Sequence, residues 1–244
     1  MSSRRASPKS FARARARGVT LVEILVVMVI ISLVVGGIIG GTGQLSSAKL
    51  KRATTMIAGG VKMSYTRATA RSRNLRIVFD LDAQTMWLEE GDMPMLVQSK
   101  DKTGTGGAEA VTEAEKVAVA ESMGILKGPK VPRARYKPVN IAGFEDDEGA
   151  GKGVRPLGGK ITFRSVQTSH DDEPRTSGRA YLYFWPGGQT ERASIQVRIG
   201  TSLDDGQTLT VLVSPLTGRV SIKAGPVPLP EPLDDRAASE REDR

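Results

Sequence analysis

The sequence has no cysteine and a single histidine, His170. No disulfide can therefore staple the fold, and an ordinary structural zinc site built from Cys and His ligands is excluded. His170 lies beside Ser169, Asp171, Asp172 and Glu173 in a polar stretch that reads as a loop. Adjacent residues do not make a catalytic triad, whose members converge from separate elements. There is no G-x-S-x-G elbow. Gly151-Lys152-Gly153 lacks both the leading glycine and the Ser or Thr of a phosphate-binding loop. The acidic groups at 145–148, 171–173 and 204–205 lack EF-hand spacing and read as solvated loop charge. Nothing here supports catalysis or a cofactor, and no metal-ligand set emerges.

Charge is also missing where a globular chain would carry it. Residues 1–18 contain no acid, only Arg4, Arg5, Lys9, Arg13, Arg15 and Arg17. Between Arg17 and Lys49 the one charged residue is Glu23. The formal charge of +8 is therefore mostly a property of the first 18 residues; the remainder holds 29 bases against 27 acids. Such a balance gives no general reason to expect nucleic acid as a partner. A local patch of Arg67, Arg71, Arg73 and Arg76 remains a candidate phosphate contact.

Residues 24–41 are apolar over enough length to cross ~30 Å of hydrocarbon. Lys and Arg ahead of such a span hold the N-terminus on the cytoplasmic side, so everything beyond residue 48 is expected to cross. A secretory signal peptide would place the apolar run before its cut; here it follows the basic region directly. Gly36, Gly37, Gly40 and Gly41 make overlapping G-x-x-x-G pairs, which allow close helix packing. Glu23 stands out, since a carboxylate costs ~2.5–3.5 kcal/mol at a bilayer centre and marks a functional position by default.

Arg17-Gly18, then Val19-Thr20-Leu21-Val22-Glu23 and unbroken Ile, Leu and Val, resembles the N-terminal cleavage and methylation motif of type IV pilins and type II secretion pseudopilins. Val19 departs from the commoner phenylalanine or methionine. The resemblance implies that a prepilin peptidase cuts after Gly18 and methylates the amine of Val19. It also implies that Glu23 acts in assembly, pairing with the N-terminal amine of a neighbouring subunit.

Beyond the span, Leu50, Ala53, Ile57, Val61, Tyr65 and Ala68 recur at helical spacing, with Lys and Arg on the other faces. This predicts an amphipathic continuation that stops near Asn74. A helix from Val19 to Arg73 would be ~80 Å long at 1.5 Å per residue. Strands are predicted at 75–81, 85–90, 160–166, 180–185, 192–199, 208–213 and 219–223. Residues 99–159 are rich in Gly, Ala, Lys and Glu. They read as a large loop insertion offering protein-specific contacts, with a short helix near Thr112–Met123 opened by a Thr112–Glu115 capping box. From Pro226 four prolines and then charges predict a disordered tail, 226–244.

The expected class is α+β: a pilin-like fold with a long N-terminal helix on antiparallel β-sheets. Its parts are a leader (1–18), a transmembrane helix (19–45), a globular domain (46–225) and the tail. The stretches Leu75–Asp82, Phe184–Gly188 and Leu216–Val220 resemble the H-type minor pseudopilins and related minor pilins. The resemblance implies a non-enzymatic subunit of the pseudopilus of a type II secretion system. Its partners would be prepilin peptidase, other major and minor pseudopilins and the inner-membrane assembly platform. It would sit in the bacterial inner membrane as a single-pass protein with its globular domain in the periplasm. Major pseudopilins carry a calcium site, which leaves a cation at one acidic group open. Two alternatives stand beside this reading. One is a minor type IV pilin acting in pilus assembly or DNA uptake. The other, disfavoured for want of convergent catalytic groups, is a membrane-anchored periplasmic enzyme.

Overall fold

The structure is a computed structural model describing residues 20–97, 102–125, 132–140, 153–202 and 204–230, with only the backbone at 36–45. The first helix, α1, runs Leu21–Arg71. Packing divides the chain into one unit through Gln44 and a second from Leu45 onward.

Thr20 caps the start of α1: its hydroxyl accepts from the Glu23 N–H at 3.2 Å, and its carbonyl accepts from Ile24. The end is a Schellman-type closure. Ser72 takes φ 51°, and the Arg73 N–H reaches back to the Ala68 carbonyl at 3.2 Å. The helix thus stops three residues before Asn74, whose side-chain amide instead donates to the Met93 carbonyl.

In the second unit the elements after α1 follow in this order. Strands β1 (Leu75–Asp80) and β2 (Thr85–Gly91) form a hairpin, and α2 covers Glu113–Ile125. Then come β3 (Tyr136–Pro138), β4 (Val154–Pro156), β5 (Ile161–Thr168), β6 (Arg179–Trp185) and β7 (Gln189–Thr190). The chain continues with β8 (Ala193–Ile199), β9 (Thr208–Val213) and β10 (Val220–Ala224). They form two antiparallel sheets. The larger is ordered β3-β2-β1-β6-β7, with β4 also on β2, and the smaller β10-β9-β8-β5. This is the α+β, pilin-like arrangement expected: a helix followed by antiparallel sheets.

The core lies where the helix stripe meets both sheets. Leu50, Ala53, Ile57, Val61 and Ala68 of α1 pack with Leu75, Ile77 and Phe79 of β1 and with Leu182, Ile195 and Val211. Phe79 meets Phe163 edge-to-face at 5.7 Å, joining the two sheets. Burying one such side chain is worth ~1.5–3 kcal/mol, so alternation in β1 fixes its register through three inward positions at once.

Two regions differ from expectation. Within 99–159, α2 is present with its capping box: Thr112 and Glu115 exchange backbone-to-side-chain bonds at 3.0 and 3.3 Å. The region also supplies β3 and β4, which extend the larger sheet, and buries Ala108 against Val78, Tyr181 and Tyr183 on its outer face. These residues are part of the domain's packing, not a loop laid over it. At the other end, the segment 226–230 lies on the outer face of the smaller sheet. The Val227 N–H donates to Thr210 Oγ1 at 3.1 Å, and its carbonyl accepts from Ser194 Oγ at 2.6 Å. Prolines cannot extend a ladder, so the segment is held by side chains of the sheet. Residues 231–244 lie outside the described residues.

Candidate functional site

Gly18 and Val19, the expected cleavage point, lie outside the described residues. Glu23 is in the first turn of α1, where a carboxylate is favoured by the helix dipole. Every described side chain from Thr20 to Val35 is exposed, including Leu21 at 80% and Leu33 at 71%. A helix that is apolar on all sides belongs in an apolar environment. Among the described residues, no helix is long and apolar enough to cross a membrane. The apolar run with described side chains, Leu21–Val35, spans only ~22 Å of helix. The expected span continues through Gly36, Gly37, Gly40 and Gly41, whose side-chain surroundings lie outside the described residues.

The second unit carries a buried polar layer on the outer face of the larger sheet. Arg76 points away from the apolar core and is 1% exposed. Its Nε and Nη2 both contact Glu89 Oε2 at 2.7 Å, and Nη1 donates to Tyr183 Oη at 3.2 Å. Its guanidinium carbon lies 4.4 Å from the Tyr136 ring centre and 4.2 Å from that of Tyr181. Trp87 Nε1 donates to the other Glu89 oxygen at 2.8 Å, and Tyr181 Oη donates to Glu115 at 2.6 Å. Tyr183 Oη also donates to the Thr105 carbonyl. Burial pushes the Tyr181 and Tyr183 phenols well up, against the opposing pull of Arg76. Of the arginine patch, Arg76 is locked inside, while Arg71 and Arg73 are exposed and Arg73 lies 3.7 Å from Glu90.

His170 is likewise internal. Its Nδ1 lies 2.6 Å from Glu191 Oε1 and 2.9 Å from Thr168 Oγ1, and its ring packs edge-on against Tyr183. Asp171 is buried too, accepting from Thr168 Oγ1 at 2.8 Å and from Arg175 Nε at 2.7 Å. The reading of this stretch as solvated loop charge holds for Asp172 and Glu173 but fails for Asp171. Burial raises the Glu191 pKa, while His170 and the Tyr183 N–H act in the opposite direction. With His170 fully enclosed, its imidazole is not presented to a substrate. Among the described residues, no group of three or more His, Cys, Asp or Glu is placed to hold a metal ion.

Sequence reasoning missed this layer because Arg76 and Glu89 each look like the exposed position of an alternating strand, and Glu191 falls between strands. The detectable sign was aromatic: Tyr181, Tyr183 and Trp185 share the face opposite Leu182 and Phe184.

Residues 13–39 match the model of the prokaryotic N-terminal methylation motif. By that motif and its helix-then-sheets topology, the chain is type IV pilin-like. Two solved structures of the minor pseudopilin EpsH from the type II secretion system of Vibrio cholerae align with it. One has 10% identity and a TM-score of 0.39, covering 72% of this chain and 97% of EpsH. The other has 9% identity and a TM-score of 0.41, covering 74% and 97%. The fold assignment rests on the topology itself. No curated protein matches the sequence.

Proposed function

We propose that the chain is a minor pseudopilin: a non-enzymatic structural subunit of the pseudopilus of a type II secretion system. The observation that carries the reading is the methylation motif, with Glu23 as the sole charge in the apolar first part of α1. On this reading prepilin peptidase removes residues 1–18, and Val19 becomes the methylated N-terminus. The helix anchors the chain in the inner membrane, with the β-sheet domain in the periplasm. Assembly then transfers the helix into a bundle of other pseudopilin helices on the inner-membrane platform, where Gly36, Gly37, Gly40 and Gly41 allow close approach.

Glu23 is the assembly residue. A charged amine buried in a low-dielectric bundle costs several kcal/mol unless it is paired. Glu23 of an adjacent subunit offsets that cost and sets the axial register. Glu23→Leu should leave insertion and cleavage intact, since removing a charge makes insertion easier. The test is co-purification of the full-length protein with its partner pseudopilins, alongside a secretion assay. Wild type should retain the partners and Glu23→Leu should lose them, with secretion falling in parallel. Equal recovery and equal secretion would contradict the assembly role. Minor type IV pilins share the motif; loss of piliation with normal secretion would assign the chain to them.

A further inference from the structure

The described sheets are not equally protected at their edges. In the larger sheet β7 has two residues, and β3 and β4 have three each. In the smaller sheet β5 carries a bulge between Phe163 and Ser165, and Val166 exchanges both backbone bonds with Arg175, at 2.9 and 2.8 Å. Short strands, bulges and covering segments keep an edge from pairing with another chain. The edge at β10 has none of these. It runs five residues in unbroken register with β9 and pairs with no other described strand. Ile222 lies opposite the buried Val211 yet is 43% exposed, so the apolar core ends at this edge without a cover.

Charge says what the edge accepts. Arg219, Ser221 and Lys223 alternate along one side of the strand, beside an open groove of about 360 Å³ with Leu212 in its floor. Among the described residues no acid lines that groove, and neither base has a carboxylate partner, whereas Arg164 on β5 and Arg179 on β6 do. A second copy of the chain is a poor fit. Antiparallel pairing centred on Ser221 would set Arg219 of each copy opposite Lys223 of the other, and parallel pairing in register would set each base opposite itself. Like charges directly opposite destabilise a strand pair, so the edge selects against its own kind.

We infer that β10 is a docking edge for a strand of a different protein, an extended acidic segment that adds to the smaller sheet. Two acids four residues apart, ~13 Å along the strand, meet Arg219 and Lys223. Apolar residues at the alternate positions cover Val220 and Ile222. Main-chain bonds supply affinity, and the two acids with the apolar positions supply specificity.

The test uses the full-length protein in detergent with two labelled peptides, Thr-Glu-Val-Thr-Val-Glu-Thr and the same sequence with Lys in place of Glu. Fluorescence anisotropy measures affinity, and amide hydrogen exchange locates the contact. The acidic peptide should bind roughly tenfold more tightly than the lysine peptide and should slow exchange along β10. Added salt should narrow the difference. Arg219→Glu combined with Lys223→Glu should invert the preference, and its binding of the lysine peptide shows that the variant folds. Equal affinity for the two peptides, binding that leaves β10 exchange unchanged, or no binding at about 1 mM peptide would overturn the inference. It would also fall if another occupant protects β10: a second copy on self-association, single-stranded DNA as strongly as the acidic peptide, or the chain's own end, seen as protection that is lost when residues 231–244 are deleted.

Discussion

Arg76 and Glu89 face each other across the β1–β2 hairpin, paired in register, and their side chains meet at 2.7 Å on the buried outer face of the sheet. The arginine is stacked between Tyr136 and Tyr181, and Trp87 holds the second oxygen of the glutamate. The pair thus ties the hairpin to β3 and β6, with Arg76 and Tyr181 buried and Tyr136 and Trp87 half-buried around it. A buried pair of this kind is weak evidence for net stabilisation, but breaking it on one side is costly.

Arg76→Ala should therefore destabilise the protein by ~3–5 kcal/mol, because Glu89 is left buried and uncompensated. Replacing both members with Arg76→Met and Glu89→Leu should cost clearly less than Arg76→Ala alone. Denaturant midpoints of the three variants check this. A double variant worse than the single one would show that the pair contributes more than mutual neutralisation.

Glu191 gives the domain a defined pH response. Burial raises its pKa from the ordinary value of 4.5, with the His170 imidazole opposing. A carboxyl raised by folding holds its proton more tightly in the folded state. Its stabilising contribution is then fully present below the unfolded value and falls as pH rises through the folded one. Wild type should lose stability relative to Glu191→Gln as pH increases above 4.5, with the difference levelling off once the folded carboxyl has ionised. Unfolding curves for the two proteins over a pH series measure the difference. Parallel pH profiles would show that Glu191 ionises as it does in the unfolded chain.

Tyr65 of α1 joins two distant turns. Its hydroxyl donates to the Gly188 carbonyl at 2.8 Å, and its ring lies over Gly218, where an added Cβ would come within 2.5 Å. Gly218 has φ 58°. Gly218→Ala should cost roughly 2–5 kcal/mol, combining left-handed backbone strain with overpacking. Gly178 has φ 69° with nothing within 4 Å of its added Cβ, so Gly178→Ala should cost only roughly 1–2 kcal/mol. Equal losses in chemical denaturation would mean that the ring moves aside freely.

Much of this architecture is legible in the residues themselves. The helix stripe from Leu50 to Ala68 is readable by period, as are β1, β2, β5, β6 and β8 to β10, because each is long enough to show one. Strands β3, β4 and β7 are two or three residues long and have no period to read; pairing with β2 or β6 makes them strands. The stretches Phe184–Gly188 and Leu216–Val220 stand out in the sequence as separate features, and the fold shows why: both close on Tyr65. The interior placement of Arg76 and His170 is not legible locally. It depends on partners 13 to 107 residues away, such as Glu89 and Tyr183. The proline-rich start of the tail is similar, since its order comes from Thr210, Ser194 and Arg192 on the sheet beneath it.

The central claim is that this is a processed pilin-like subunit, and the N-terminus tests it most directly. On the proposed reading the cut falls between Gly18 and Val19, inside the matched motif at 13–39. Intact-mass analysis and N-terminal sequencing of the protein, extracted from membranes of a host with active prepilin peptidase, should give a chain that begins at Val19 and carries one added methyl group. A chain that still holds residues 1–18 in that host would contradict the account.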